Sequence, residues 1–117
     1  MHELSIAEAL QKQVSAWIKE HGGRVKRVTV ELGRLCGVDP AGLKSVWPVA
    51  AAGFGDPALR GVELELVELP LRFVCPACGA RCEAERLVWS CAACGAEPLR
   101  REGGNELLLK ELELEDV

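Results

Sequence analysis

Apolar residues recur along this chain with two alternating periods. Ile6, Leu10, Val14, Trp17 and Ile18 fall at helical spacing and give one buried face. Ser5 and Glu8 form an S-x-x-E capping box, in which the Ser oxygen accepts from a free helix N–H and the Glu reaches back. Leu4 and Ala9 occupy hydrophobic-staple positions around it. The pattern predicts a helix over 6–21 that starts at Ser5, with Met1, His2 and Glu3 outside it. Gly22 is a natural left-handed stop, and His21 complements the helix dipole.

The period then shortens to two. Val28, Val30 and Leu32 alternate with Arg27, Thr29 and Glu31, the mark of a half-buried strand. LCGVDP reads as a loop, with Asp39 as N-cap and Pro40 as first residue of a second helix. Leu43, Val46, Trp47 and Ala50 supply its apolar face. Pro48 lies inside it and removes one hydrogen bond, so a kink or an early end is expected. FGDP at 54–57 is a turn or loop. VELELVELP at 62–70 alternates again, with glutamates toward water and Val62, Leu64 and Leu66 toward a core. ELLLKELELE predicts a last strand over 106–114.

A lone final strand needs a sheet to join. The economical solution is that it returns to pair with the earlier strands, so the cysteine-rich segment between them is an excursion. The expected fold class is α+β. It is a small α/β lobe of two helices on a three-stranded sheet, with an inserted four-cysteine ribbon. The expected division is 1–74 plus 104–117 for the first unit and 75–103 for the insert.

Composition supports a core, with 49% apolar residues, but only 4% are aromatic, so Leu, Val and Ala must fill it. The formal charge of −4 is local: residues 1–74 balance nine Lys/Arg against nine Asp/Glu, and residues 75–117 set five against nine. No basic stripe is present, which argues against a nucleic-acid partner. No apolar run spans a membrane and the first residues lack the regions of a signal peptide, so a cytoplasmic protein is expected.

The six cysteines carry the clearest chemistry. CPACG at 75–79 and CAACG at 91–95 place Cys75, Cys78, Cys91 and Cys94 in two C-x-x-C units. Each CxxCG can turn two thiolates toward one ion, and two facing knuckles make the closed tetrahedron of structural Zn(II). A metal contributes roughly 10–16 kcal/mol to such a small module, whose bulky apolar residues are read as Leu87, Val88 and Trp89. A four-thiolate site also suits iron in a rubredoxin-like electron carrier. A third reading is a zinc-ribbon protein-interaction module. It would carry basic and aromatic residues around the knuckles if it bound nucleic acid, whereas residues 75–95 balance Arg81 and Arg86 against Glu83 and Glu85. Cys82 is expected to be a bystander and Cys36 a small hydrophobe.

His2 stands beside the α-amine of Met1. The amine, the His2 amide nitrogen and the imidazole can close five- and six-membered chelate rings around one ion. Such a planar nitrogen field suits Ni(II) or Cu(II). The plain alternative is a frayed terminus with a solvated histidine.

Taken together, MHELSIAEAL, VELGRLCGVDP, the paired CxxC and GGNELLLKELE resemble the HypA/HybF family of hydrogenase nickel-incorporation proteins, over essentially the full length. The resemblance implies a nickel metallochaperone and not an enzyme. It implies Ni(II) at Met1, His2 and Glu3, with Asp39 matching an acidic position near that site. It implies structural Zn(II) at Cys75, Cys78, Cys91 and Cys94. The partners it implies are the HypB GTPase, the large subunit of [NiFe]-hydrogenase and, in some members, urease maturation factors, with the protein a monomer or dimer. No His follows position 21, so histidines that some relatives carry in the zinc loop are missing, and a fourth nickel ligand must come from elsewhere.

Overall fold

The computed structural model describes residues 3–53 and 56–115. The chain runs α1 (Glu3–His21), β1 (Val25–Gly33), α2 (Pro40–Gly53), a short 3-10 turn (Pro57–Leu59), β2 (Glu63–Leu69), β3 (Leu71–Val74), β4 (Arg81–Ala84), β5 (Arg100–Arg101) and β6 (Leu107–Leu114). This is the expected α+β class.

One three-stranded sheet has the order β2-β1-β6. β2 lies parallel to β1, with Val28 opposite Leu64 and Val30 opposite Leu66. β6 returns antiparallel on the other side of β1, with Val28 opposite Leu112, as the lone final strand required. The alternation places Val28, Val30, Leu32 and Leu64 inward, where they meet Ile6, Leu10 and Val14 of α1 and Leu43 and Trp47 of α2. Burial of these side chains is worth about 1.5–3 kcal/mol each against exposure, and it is what holds the helices to the sheet. Arg27 sits on the opposite, open face, bridging Glu63 at 3.3 Å and Glu113 at 3.2 Å across both neighbouring strands.

Three local expectations are corrected. α1 begins at Glu3, so Ser5 is inside the first turn and is not an N-cap, and Leu4 is an exposed helical residue. A capping box is a local preference of about 1 kcal/mol, and here Glu3, complementing the positive end of the helix, extends the first turn past it. Of the kink or early end expected at Pro48, the early end does not occur: α2 continues to Gly53, because Trp47, Ala50 and Ala51 are buried on its inner face and hold the last turn. Third, Leu87 and Trp89 do not pack the cysteine segment; they are 53% and 67% exposed. Its apolar residues are Leu71, Phe73 and Val74, all buried on β3.

α1 stops where expected. The Gly22 N–H donates to the Ile18 carbonyl at 2.7 Å and Gly22 takes a φ of 77°. His21 stacks on Trp17, with ring centroids 4.5 Å apart. One buried polar group escaped the sequence pattern. Gln11 lies among the core residues and its Nε2 donates to the Trp47 carbonyl at 2.9 Å, while the Trp47 indole donates to the Val62 carbonyl at 3.0 Å. These two bonds join α1, α2 and the entry to β2. Trp47→Ala is expected to cost about 3–5 kcal/mol through the cavity it leaves, read as a fall in the denaturation midpoint.

The second sheet has the order β4-β3-β5. β3 starts one residue after β2 ends, so the chain passes from one sheet to the other at Pro70. The return passage is a glycine-lined crossing. The Gly33 N–H donates to the Glu106 carbonyl at 2.7 Å, and the Leu35 N–H donates to the Gly104 carbonyl at 2.6 Å. Glu106 accepts from the Gly104 N–H through one carboxylate oxygen and meets Arg72 Nη2 at 3.1 Å through the other. Arg72 belongs to β3 and Glu106 precedes β6, so this pair joins the two sheets. The radius of gyration is 17.9 Å, against about 13–14 Å for a compact single domain of this length, which reflects the two sheets lying end to end.

The Gly104 amide, then the amide of Glu106 itself and the Arg72 charge, hold the Glu106 carboxyl below its ordinary value. A depressed folded-state pKa means that the stabilisation is present at neutral pH and is lost as pH falls through that pKa. Glu106→Gln is therefore expected to be less stable than wild type at pH 7 and closer to it in acid, in denaturant titrations at both pH values.

Candidate metal centre

Each CxxCG folds into the same knuckle. The Gly79 N–H donates to the Cys75 carbonyl and the Gly95 N–H to the Cys91 carbonyl, both at 2.8 Å. The Cys75 and Cys91 N–H groups then donate to the carbonyls of Ala80 and Ala96, both at 2.9 Å. Gly79 and Gly95 adopt φ of 77° and 76°, a left-handed conformation that favours glycine. The sequence repeat is thus a repeat in backbone geometry.

The two knuckles face one another. Cys75 Sγ lies 3.6 Å from Cys94 Sγ, Cys78 Sγ lies 3.7 Å from Cys91 Sγ, and all four sulfurs fall within 4.8 Å of one another. Sulfurs at 2.3 Å from one tetrahedral ion would stand about 3.8 Å apart. The donor set and its spacing fit a structural Zn(II) with every position filled by thiolate. Cys75 and Cys91 are buried, Cys78 and Cys94 exposed.

The local electrostatics divide the four thiols. The Cys94 and Ala93 amides donate to Cys91 and lower it to about 7, and the Cys78 and Ala77 amides lower Cys75. The Ala96 amide also pulls Cys94 down, but the neighbouring thiols of Cys75 and Cys78 outweigh it and push Cys94 up to about 12. Four sulfurs this close cannot all ionise without a cation between them, and a divalent ion supplies that charge. Cys82 stands apart on β4, exposed and outside the cluster. Cys36 is half-buried and packs against the main core, as a small hydrophobe would.

The second set of predicted site residues lies at the other sheet. Met1 and His2 fall outside the described residues. Glu3 opens α1, and Asp39 precedes α2, where its carbonyl accepts from the Leu43 N–H at 2.9 Å. The two carboxylates converge on Gly42. A Cβ placed there would stand 3.1 Å from Asp39 Oδ2 and 3.2 Å from Glu3 Oε1. The starts of the two helices therefore bring these acids, far apart in sequence, to one spot. The Asp39–Pro40 pattern marked the helix start, but its closeness to Glu3 depends on how α1 and α2 pack.

A small α+β fold with a four-thiolate ribbon between two strands of one sheet defines a class of metal-binding proteins. The family described as "Hydrogenase/urease nickel incorporation, metallochaperone, hypA" matches residues 1–114. The chain is 33% identical over 115 residues to the hydrogenase maturation factor HypA of Rhodobacter capsulatus, covering 97% of this chain and 99% of that one. It is 36% identical to that of Nitrosospira multiformis, covering 97% of each. A solution structure of a HypA protein matches with a TM-score of 0.73 at 22% identity, covering 97% of this chain and 96% of that one. The solution structure of the Ni metallochaperone HypA from Helicobacter pylori matches with a TM-score of 0.67, also at 22% identity and covering 97% of each. The chain belongs to the HypA family of hydrogenase and urease nickel-incorporation metallochaperones.

Proposed function

We propose that this protein carries Ni(II) at its amino terminus and hands it on during maturation of [NiFe]-hydrogenase, as a binding protein without catalytic turnover. The Met1 amine, the His2 amide nitrogen and the His2 imidazole make three ligands, and Glu3 and Asp39 supply nearby carboxylates. The observation that carries this reading is the convergence of Glu3 and Asp39 beside Gly42, Glu3 being the residue that follows His2 in the sequence. The carboxylates attract the cation, and weak or water-mediated oxygen ligation leaves the site able to release it. Acid protonates the amine, amide and imidazole, and so ejects the metal.

Cys75, Cys78, Cys91 and Cys94 hold structural Zn(II) in this reading. The nickel unit comprises the β2-β1-β6 sheet with α1 and α2. The zinc unit is the insert, and the pairing of β3 with β4 and β5 favours starting it at Leu71 rather than at Cys75. The protein works in the cytoplasm with the HypB GTPase and the hydrogenase large subunit, or with urease maturation factors. Among the described residues, no helix is long and apolar enough to cross a membrane.

Acetylating the Met1 amine tests the chelate, because it removes that nitrogen as a ligand while leaving every side chain in place. Equilibrium nickel titration is expected to show loss of stoichiometric binding, with zinc content unchanged. Undiminished nickel binding in the acetylated protein would overturn the proposed chelate.

A further inference from the structure

β2 is an edge strand. β1 occupies one side of it, in an unbroken register from Glu63 to Leu69. Along its other side every second residue offers an N–H and a C=O that no described strand takes up. The opposite edge strand, β6, is interrupted by register shifts, and such bulges blunt an edge against pairing. β2 has no such interruption. It is seven residues long, which is long enough to pair with another extended segment.

At the start of this free edge a groove of about 680 Å³ lies between α2 and residues 59–64, of which Glu63 and Leu64 belong to β2. Its α2 wall includes Pro48, Ala51 and Ala52. The outward side of α2 carries little charge, with Lys44 its single ionised residue, and Val49 is 59% exposed there. Pro48 also lacks the N–H that would bond to the Lys44 carbonyl, so an acceptor is freed on the groove wall. The proline that neither ended the helix nor served the core thus gains a role at this surface.

The charges on the two sides of the strand differ. Glu63 and Glu65 meet Arg27 on the open face, and Glu63 also reaches the rim of the groove, where the two cations Lys44 and Arg60 outnumber it. An added strand sends alternate side chains to the two faces. Apolar residues suit the groove, where the cations exclude basic ones, and basic residues suit the glutamate side. A second copy of β2 would set glutamates against glutamates, which is destabilising. We propose that the free edge of β2 and the adjoining α2 groove dock an extended segment of a partner protein in which apolar and basic residues alternate, by adding it to the sheet as a fourth strand.

The test uses the full-length zinc-loaded protein and an acetylated, amidated Lys-Val-Lys-Val-Lys-Val-Lys peptide as probe, followed by amide NMR. A second peptide of identical charge carries N-methyl groups on alternate residues, so that it cannot pair through its backbone. The expected result is shift changes concentrated in residues 44–52 and 62–69, slowed exchange of β2 amides, at least tenfold weaker binding of the N-methyl peptide, and similar weakening in Glu63→Lys/Glu65→Lys. Equal binding of the two peptides, or shifts confined to the open sheet face or the cysteine segment, would overturn the proposal. So would the absence of binding, or a dimer in the free protein that protects the β2 amides.

Discussion

Cys91→Ser is expected to release the zinc and to unfold residues 71–101 while α1, α2 and the β2-β1-β6 sheet persist. The cysteine segment has a small apolar core, Leu71, Phe73 and Val74, and its sheet includes a two-residue strand. Three buried side chains are a small core for a segment of some thirty residues, and metal binding, worth roughly 10–16 kcal/mol in such small modules, is the largest single contribution that holds it. Cys91 is the apt position to change because it is buried and its thiol, lowered to about 7, is among the readier of the four to ionise. Zinc analysis should give loss of the equimolar ion, and amide spectra should lose dispersion for that segment alone. A variant that retained zinc, or a metal-free protein with a fully dispersed spectrum, would contradict the account.

Gly33→Ala is expected to be the most damaging single methyl that can be added to the sheet crossing. A Cβ on Gly33 would collide with the Gly104 carbonyl and lie 2.7 Å from the Glu106 N. Those atoms are backbone, so no side chain can swing away. They also belong to the segment that accepts from Gly33 and Leu35, and separating it weakens both bonds at about 1 kcal/mol each. With overpacking at about 1–3 kcal/mol, the total is about 3–5 kcal/mol, a fall of roughly 10–25 °C in melting temperature. Gly53→Ala, whose Cβ would meet nothing within 4 Å, is the control and is expected to change stability by less than about 1 kcal/mol.

The main sheet was legible because its strands are long and because the last strand, needing partners, implied the antiparallel return. VELELVEL announces one wet and one dry face, whereas in LLLKELEL a register shift breaks the period, so that Leu107, Leu109 and Leu112 pack on the core while Leu108 and Leu114 are exposed. β3, β4 and β5 were not legible, since four residues or fewer cannot establish a period. Phe73 and Val74, which are buried on β3, fall in no element that the sequence pattern predicts. Leu87 and Trp89 were assigned to a core by type alone, and type does not report burial. The knuckles could be read directly, because a CxxCG encodes its own turn. The meeting of Glu3 with Asp39, the Gln11–Trp47 bond and the Gly33–Gly104 contact all depend on helix packing and strand register, which no local pattern carries. The capping box shows the opposite failure, a valid local signal overruled by a longer helix.

The central claim is that nickel is held at the amino terminus, with zinc held separately. Nickel titration of wild type against His2→Ala, with zinc measured in both, tests it most directly. The account predicts stoichiometric nickel in the wild type, its loss in His2→Ala, and equal zinc in the two proteins. Stoichiometric nickel retained by His2→Ala would contradict it.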